Sequence, residues 1–469
     1  MNRNTTHHQP KPWSYPWIRM RFMRHASDML RLSIPIIFSR LAGYFMVIVD
    51  TIMITRFSKE HASWLVFGES PAIAFTGGCI GFIVGVPILV SRYYGANRHS
   101  EIGNIWRQGL LWSIIMGALL TIACIATAKP MMFWLGDATL IPKAYPITII
   151  YALSFIPLMI WFTCNGLLEA TKNPIFVFIF SILANILNIL FNWLLIYGKF
   201  GLPEMGAYGA ALSTLLLRFA IAISLCIFIY FARVTQQYNV KARVISKFRD
   251  WKEQRNLGYA AAAATIAELS GFAILGMLST RPPLNVNDTT SWAIALRVLA
   301  LLFNFALGLS VATGVRVGIA RGRKDFDDQI YAIIIGSVMT ILALFILGFI
   351  TIIYAQPIAR LFSADSAVIV LSSYLIGMLI WVFIPDGLQS TLGQSLRTSG
   401  QVWVTSILSI IAYGLILPLC AYYFTFMRNH GIAGFMEAII IVSWAIVIAF
   451  LLILIINFRI IKNTTNSID

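Results

Sequence analysis

Phe155-Ile156-Pro157-Leu158 returns 228 residues later as Phe383-Ile384-Pro385-Asp386. At the same offset, Leu168-Glu169-Ala170-Thr171-Lys172-Asn173 aligns with Leu396-Arg397-Thr398-Ser399-Gly400-Gln401. Upstream, Gly95-Ala96-Asn97-Arg98 matches Gly322-Arg323-Lys324-Asp325 loosely, 227 residues apart. One four-residue match can arise by chance. Several in register point to an internal duplication.

Both copies lie within or beside long apolar runs. Of the 469 residues, 59% are hydrophobic and 12% charged, against about 25% charged in a soluble domain. A soluble protein of this length could not hide so much apolar surface, so lipid must be its solvent. Crossing a hydrocarbon core of about 30 Å takes about 20 apolar residues. Runs of that length fall near 32–55, 65–94, 107–129, 142–168, 174–197, 207–231, 257–281, 290–320, 330–354, 366–396, 402–424 and 432–457. Six spans per repeat return the chain to the side it started from, so the halves are parallel and related by an axis along the membrane normal. The expected fold is an all-α integral membrane protein of twelve transmembrane helices, in two six-helix bundles related by pseudo-two-fold symmetry. The expected division is an N-terminal tail (1–31), an N-lobe (32–231), a basic linker (232–256), a C-lobe (257–457) and a C-terminal tail (458–469).

The net charge of +16 gathers in the loops rather than on an aromatic-studded polar face, which argues against a nucleic-acid partner. With twelve spans, 24 Lys and Arg fall on the side of the termini and 8 on the other. The positive-inside rule then places both termini in the cytoplasm. The polar, basic N-terminus does not read as a cleaved leader, so the run from Leu32 is a retained first span. Cys79, Cys124, Cys164, Cys226 and Cys420 lie in or at the ends of apolar runs with no CxxC spacing, as small apolar residues would. The histidines are terminal or in loops, and no phosphate-binding glycine motif occurs. The chain therefore reads as a transporter and not as an enzyme, without a cofactor and without direct ATP hydrolysis.

Charge inside a span is expensive and therefore a functional candidate. Arg40, Asp50, Glu69, Arg218, Glu268, Arg297, Asp386 and Glu437 qualify. Asp50 lies about 8 Å from the outer end of the first span. Asn185, Asn188 and Asn192 form one stripe on the fifth span, with Asn188 and Asn192 roughly 8 to 13 Å deep and Thr214 of the sixth at roughly 10 Å. Asp50, Asn188, Asn192 and Thr214 thus share a depth, and their oxygens suit a bound Na⁺ or a shared proton. Hydrogen-bonded glue between helices is the plainer alternative. Glu268 and Asp386 each sit roughly 15 Å from the inner surface, where paired carboxylates can exchange a proton or attract a cation. Pairing with an arginine such as Arg297 is the structural alternative there, and Pro385 offers a hinge.

The chain resembles the multidrug and toxic compound extrusion (MATE) family, especially its NorM-like branch, from about residue 30 to 457. The resemblance rests on Val49-Asp50-Thr51-Ile52-Met53 and Gly95-Ala96-Asn97-Arg98. Most specific is the run from Asn188 through Asn192-Trp193, Gly198-Lys199-Phe200-Gly201 and Gly206-Ala207-Tyr208-Gly209 to Thr214. Glu268, Arg316-Val317-Gly318 and Asp386 also fall where that branch has them. The resemblance implies an antiporter exporting drugs and organic cations in exchange for Na⁺ or H⁺. It implies an N-lobe cation site at Asp50, Asn188, Asn192 and Thr214, and a C-lobe acidic site at Glu268 and Asp386. The branch commonly has a tyrosine four residues before the last aspartate, where this chain has Val382; the coupling ion is thus left open. The expected partners are small-molecule drugs, organic cations and membrane lipids, the expected state a monomer and the expected location the bacterial inner membrane. A lipid-linked precursor flippase of the same superfamily is the rival within transport, but it calls for a more cationic central cavity.

Overall fold

The computed structural model describes residues 15–135, 138–242, 251–279, 281–363 and 365–466. Twelve helices in it are long and apolar enough to cross a membrane. The first six lie in the helices Tyr15–Phe57, Lys59–Ile83 with Gly85–Gly95, His99–Leu135, Ile141–Leu153 with Phe155–Ala170, Pro174–Ile196 and Ala207–Phe231. The second six lie in Lys252–Leu278, Val286–Gly322, Phe326–Ile353, Ser366–Thr398, the composite span 402–427 and Ala433–Asn466. No strand occurs among the described residues.

Each half buries its own apolar core. One core runs through Ile54, Val86, Trp112, Phe155, Leu168 and Leu225; the other runs through Trp292, Leu344, Phe383, Tyr413, Phe435 and Phe450. This separation is what a pair of bundles requires. Outside both, Leu32 and Ile36 of the first helix pack on Ala312, Val315 and Ile319 of the eighth span and join the bundles.

Four features depart from the apolar-run reading. The first helix begins at Tyr15, so residues 15–31 of the expected tail already continue the first span; residues 1–14 lie outside the described part. The last helix likewise extends to Asn466. The second span breaks at Val84 and the fourth at Ser154. In the eleventh, Ile410–Ile416 and Tyr423–Met427 adopt the wide π-helical turn. Lipid leaves no water for freed backbone groups, so such breaks persist only where side chains or neighbouring helices satisfy them. By contrast, the tenth helix runs through Pro385 without interruption.

The lobes meet tightly toward the ends that carry the termini. A Cβ on Gly81 or Gly85 would strike the backbone of Ala262 or Gln254 of the seventh helix, and one on Gly95 would strike Ile319 of the eighth. Only a residue without a Cβ allows backbones this close. Further along, the Tyr44 hydroxyl donates to the Arg297 carbonyl at 3.2 Å.

Candidate functional site

The N-lobe site is built on the seam between the first and fifth spans. Ser181, Ala184, Asn188, Asn192 and Leu195 are buried at helical spacing along one face of the fifth, and the first helix meets that face through a ladder of polar ties. Ser39 Oγ and Ser181 Oγ are 2.6 Å apart. Asn185 Nδ2 donates to the Ala42 carbonyl at 3.0 Å. The Tyr197 hydroxyl donates to the Met53 carbonyl at 3.0 Å. Between these structural rungs lies Asp50. Its Oδ1 accepts from Asn188 Nδ2 at 2.8 Å and from Asn192 Nδ2 at 2.5 Å. The stripe therefore divides: Asn185 is glue, and Asn188 with Asn192 holds a carboxylate.

Asn188 and Asn192 are 1% and 0% exposed, and the amide oxygen of each has no hydrogen-bond partner. Burying an acceptor unpaired costs about 1–3 kcal/mol, so the pocket retains unused affinity for a cation or a donor. Rotating the amides would present oxygens beside Asp50, the donor set a hard cation takes. Thr214 is near but bonded elsewhere: its hydroxyl donates to the Ala210 carbonyl at 3.2 Å and pairs with Tyr151.

The break in the fourth span explains what else faces Asp50. Ser154 stands at the break, donates to the Tyr151 carbonyl at 2.6 Å and accepts from Arg218 Nη1 at 2.5 Å. Arg218 is thereby fixed where its charge acts on Asp50, Glu69 and Tyr151 together. Glu69, read from sequence as a residue that might simply face water, belongs to this cluster. Arg40 is committed elsewhere, with Nη2 3.0 Å and 3.3 Å from the two oxygens of buried Glu169.

The C-lobe site brings together Glu268 of the seventh helix and Asp386 of the tenth, each within reach of the other's charge. Arg297 is exposed and is not their partner; the cation acting on Glu268 is Arg397. Asp386 also accepts a hydrogen bond from Tyr413, whose hydroxyl lies 3.3 Å from Ser443 Oγ. Tyr413 is fully buried in the π-helical segment, a wide turn common at functional sites. Gly271 of the seventh helix admits its backbone, since a Cβ there would strike the Tyr413 carbonyl. Val382, where the resembling branch has its tyrosine, is buried apolar core, and the phenol at Asp386 comes instead from the eleventh span. A tyrosine alone in an apolar run carried no periodic pattern to reveal this. Glu437 lies apart, 2.7 Å from His430 Nδ1.

The five cysteines are free; Cys164 and Cys226, distant in sequence, have sulfurs 3.7 Å apart. Among the described residues no three of His, Cys, Asp and Glu gather as a metal site.

Comparison with known proteins agrees with this architecture. A probable multidrug resistance protein NorM from Caulobacter vibrioides is 28% identical over 424 residues, covering 89% of this chain and 88% of the relative. A multidrug resistance protein MdtK from Cronobacter sakazakii is 24% identical, covering 90% and 95%. Among solved structures, the eukaryotic MATE transporter AtDTX14 superposes with a TM-score of 0.86 at 18% identity, covering 93% of this chain and 96% of that one. An outward-facing multidrug resistance MATE transporter of the MOP superfamily gives 0.84 at 19% identity, covering 94% and 97%. The MatE family model matches residues 35–194 and 260–422, one stretch in each lobe. With that duplicated match and these relatives, the chain belongs to the MatE family of multidrug and toxic compound extrusion transporters, in its NorM-like branch.

Proposed function

We propose that this protein is a secondary active multidrug exporter of the bacterial inner membrane, with both termini in the cytoplasm. It expels organic, commonly cationic, compounds in exchange for H⁺ or Na⁺ by alternating access of its lobes. The observation that carries this reading is Asp50: a carboxylate inside a membrane span, held by two buried amides with unused oxygens. A group so placed gains by taking up a proton or a small cation. The names of the NorM and MdtK relatives support drugs as the cargo.

The exchange follows from a shared cost. A vacant, ionised Asp50 in low dielectric is unfavourable, so occupation of the cluster by H⁺ or Na⁺ favours one arrangement of the lobes over the other. In the C-lobe, Glu268 and Asp386 supply negative charge that suits a cationic drug or a second proton, and Tyr413 stabilises Asp386 when it is ionised. Asn188 and Asn192 position Asp50, with Thr214 completing the N-lobe set.

Ethidium efflux from cells expressing the chain, with Na⁺ and pH gradients imposed separately, tests the reading. Efflux driven by either gradient names the coupling ion. Asp50→Asn, expressed at the parental level, is expected to lose efflux by at least about tenfold, and unchanged efflux would remove Asp50 from the mechanism.

A further inference from the structure

A concentration of positive charge stands at the end of the molecule that carries the termini, away from both carboxylate clusters. Arg92 of the second span reaches the Thr398 carbonyl through Nε at 3.1 Å and Nη2 at 2.7 Å. Arg321 of the eighth span reaches the same oxygen through Nη1 at 3.3 Å. Two guanidiniums from opposite lobes thus converge on one carbonyl, close enough for each to feel the other's charge. Lys324 follows, exposed, in the turn after the eighth span with φ of 59°. Glu253 lies 2.8 Å from Arg92 Nη1 and is itself 63% exposed. The acids of the adjoining turn are engaged, Asp328 by Arg323 and Asp325 as the cap of the ninth helix.

Arg321 lines two neighbouring cavities, one of about 350 Å³ shared with Lys324 and Phe326, the other of about 220 Å³ shared with Arg92, Glu253 and Trp403. The residues around them sit at the ends of spans, the depth of lipid headgroups. The rim is apolar: Phe326 is 43% and Trp403 50% exposed. Arginine and lysine can only donate, and the single Thr398 carbonyl leaves most of those donors without an acceptor that matches their charge. A phosphate offers several charged oxygens in the geometry a guanidinium binds best.

We infer that this seam binds a phosphate group, that of an anionic phospholipid, between Arg92, Arg321 and Lys324, with its acyl chains over Phe326 and Trp403. Basic pockets between membrane helices at headgroup depth suit this ligand. Because Arg92 and Arg321 belong to different lobes, the bound phosphate holds this face closed.

The test is thermal unfolding of the purified full chain in maltoside micelles with added phosphatidylglycerol, phosphatidylcholine or inorganic phosphate, at matched ionic strength. Phosphatidylglycerol is expected to raise Tm saturably and phosphatidylcholine to leave it unchanged. Arg321→Gln and, separately, Lys324→Asn should each weaken the phosphatidylglycerol response about fivefold. Asn tolerates the left-handed conformation at position 324, so that variant decides the matter if Arg321→Gln does not fold. A response to inorganic phosphate of the same strength, lost in the same variants, would support the phosphate site and overturn the lipid as its occupant. Equal stabilisation by both lipids, or a full response in Lys324→Asn, would overturn the inference.

Discussion

At the scale of single residues, the two lobes solve the same problem differently. In the N-lobe, Asp50 is held by amides from one neighbouring helix, with Arg218 acting from a helix break. In the C-lobe, Asp386 is held by the phenol of Tyr413, itself beside Ser443. A hydrogen bond to a charged group contributes about 1.5–3 kcal/mol. Tyr413→Phe keeps the ring and deletes only that bond. It is therefore expected to lower drug efflux about tenfold or more while leaving expression and thermal stability near the parental values. Efflux kinetics beside unfolding curves check this; a stable variant with parental efflux would leave Tyr413 as packing alone. Asp50, Asn188 and Asn192 were legible in the sequence because depth and helical spacing are both countable. Tyr413 was not, because nothing local distinguishes a phenol aimed at a carboxylate thirty residues away from one facing lipid. Glu169 was missed similarly: it stands near a span end, and its role follows only from Arg40 arriving from another helix.

At the scale of elements, the apolar runs located every span, since burial in lipid demands little beyond length and hydropathy. They could not locate the breaks at Val84 and Ser154 or the π-helical turns, because all of these occur in uniformly apolar sequence and are stabilised by partners from other helices. The first helix shows a further consequence of tertiary pairing. Its polar start reads as a tail, yet it continues as helix to Tyr15 and places Asp28 between the lobes. Asp28 Oδ2 lies 2.5 Å from Arg316 Nη1 of the eighth span and 3.5 Å from Lys172 in the turn before the fifth. Arg316 is 3% exposed. Removing the shared carboxylate leaves like charges facing one another, one of them buried, and breaking such a group is costly. Asp28→Asn is thus expected to favour opening of this face. In an otherwise cysteine-free chain carrying Ser91→Cys, where Ser91 is buried against Gly318, maleimide labelling should rise several-fold with Asp28→Asn. Unchanged labelling would mean that the glycine contacts alone keep the face shut.

At the scale of the whole molecule, duplication and charge asymmetry constrain each other. Matching segments at offsets of 228 and 227 residues imply that equivalent turns of the two lobes emerge on the same side of the membrane. The turn at Asn97 and the turn at Lys324 do this structurally as well, each carrying its residue at a positive φ, 58° and 59°. So do Lys172, at 61°, and Gly400, at 102°. These four turns share the side that holds most of the Lys and Arg. The first and last helices both end there too, because the number of spans is even. Charge on loops orients a membrane chain when the loops are short, and these turns are only a few residues long. A green fluorescent protein fused after Asp469 should therefore fluoresce, whereas alkaline phosphatase at the same point should be inactive. Moving the phosphatase to Phe200, in the turn between the fifth and sixth spans, should make it active. Activity at both points, or at Asp469 alone, would require an odd number of spans before the C-terminus or an inverted chain. Either result would break the parallel relation between the lobes on which the placing of Asp50 and Asp386 in equivalent halves depends.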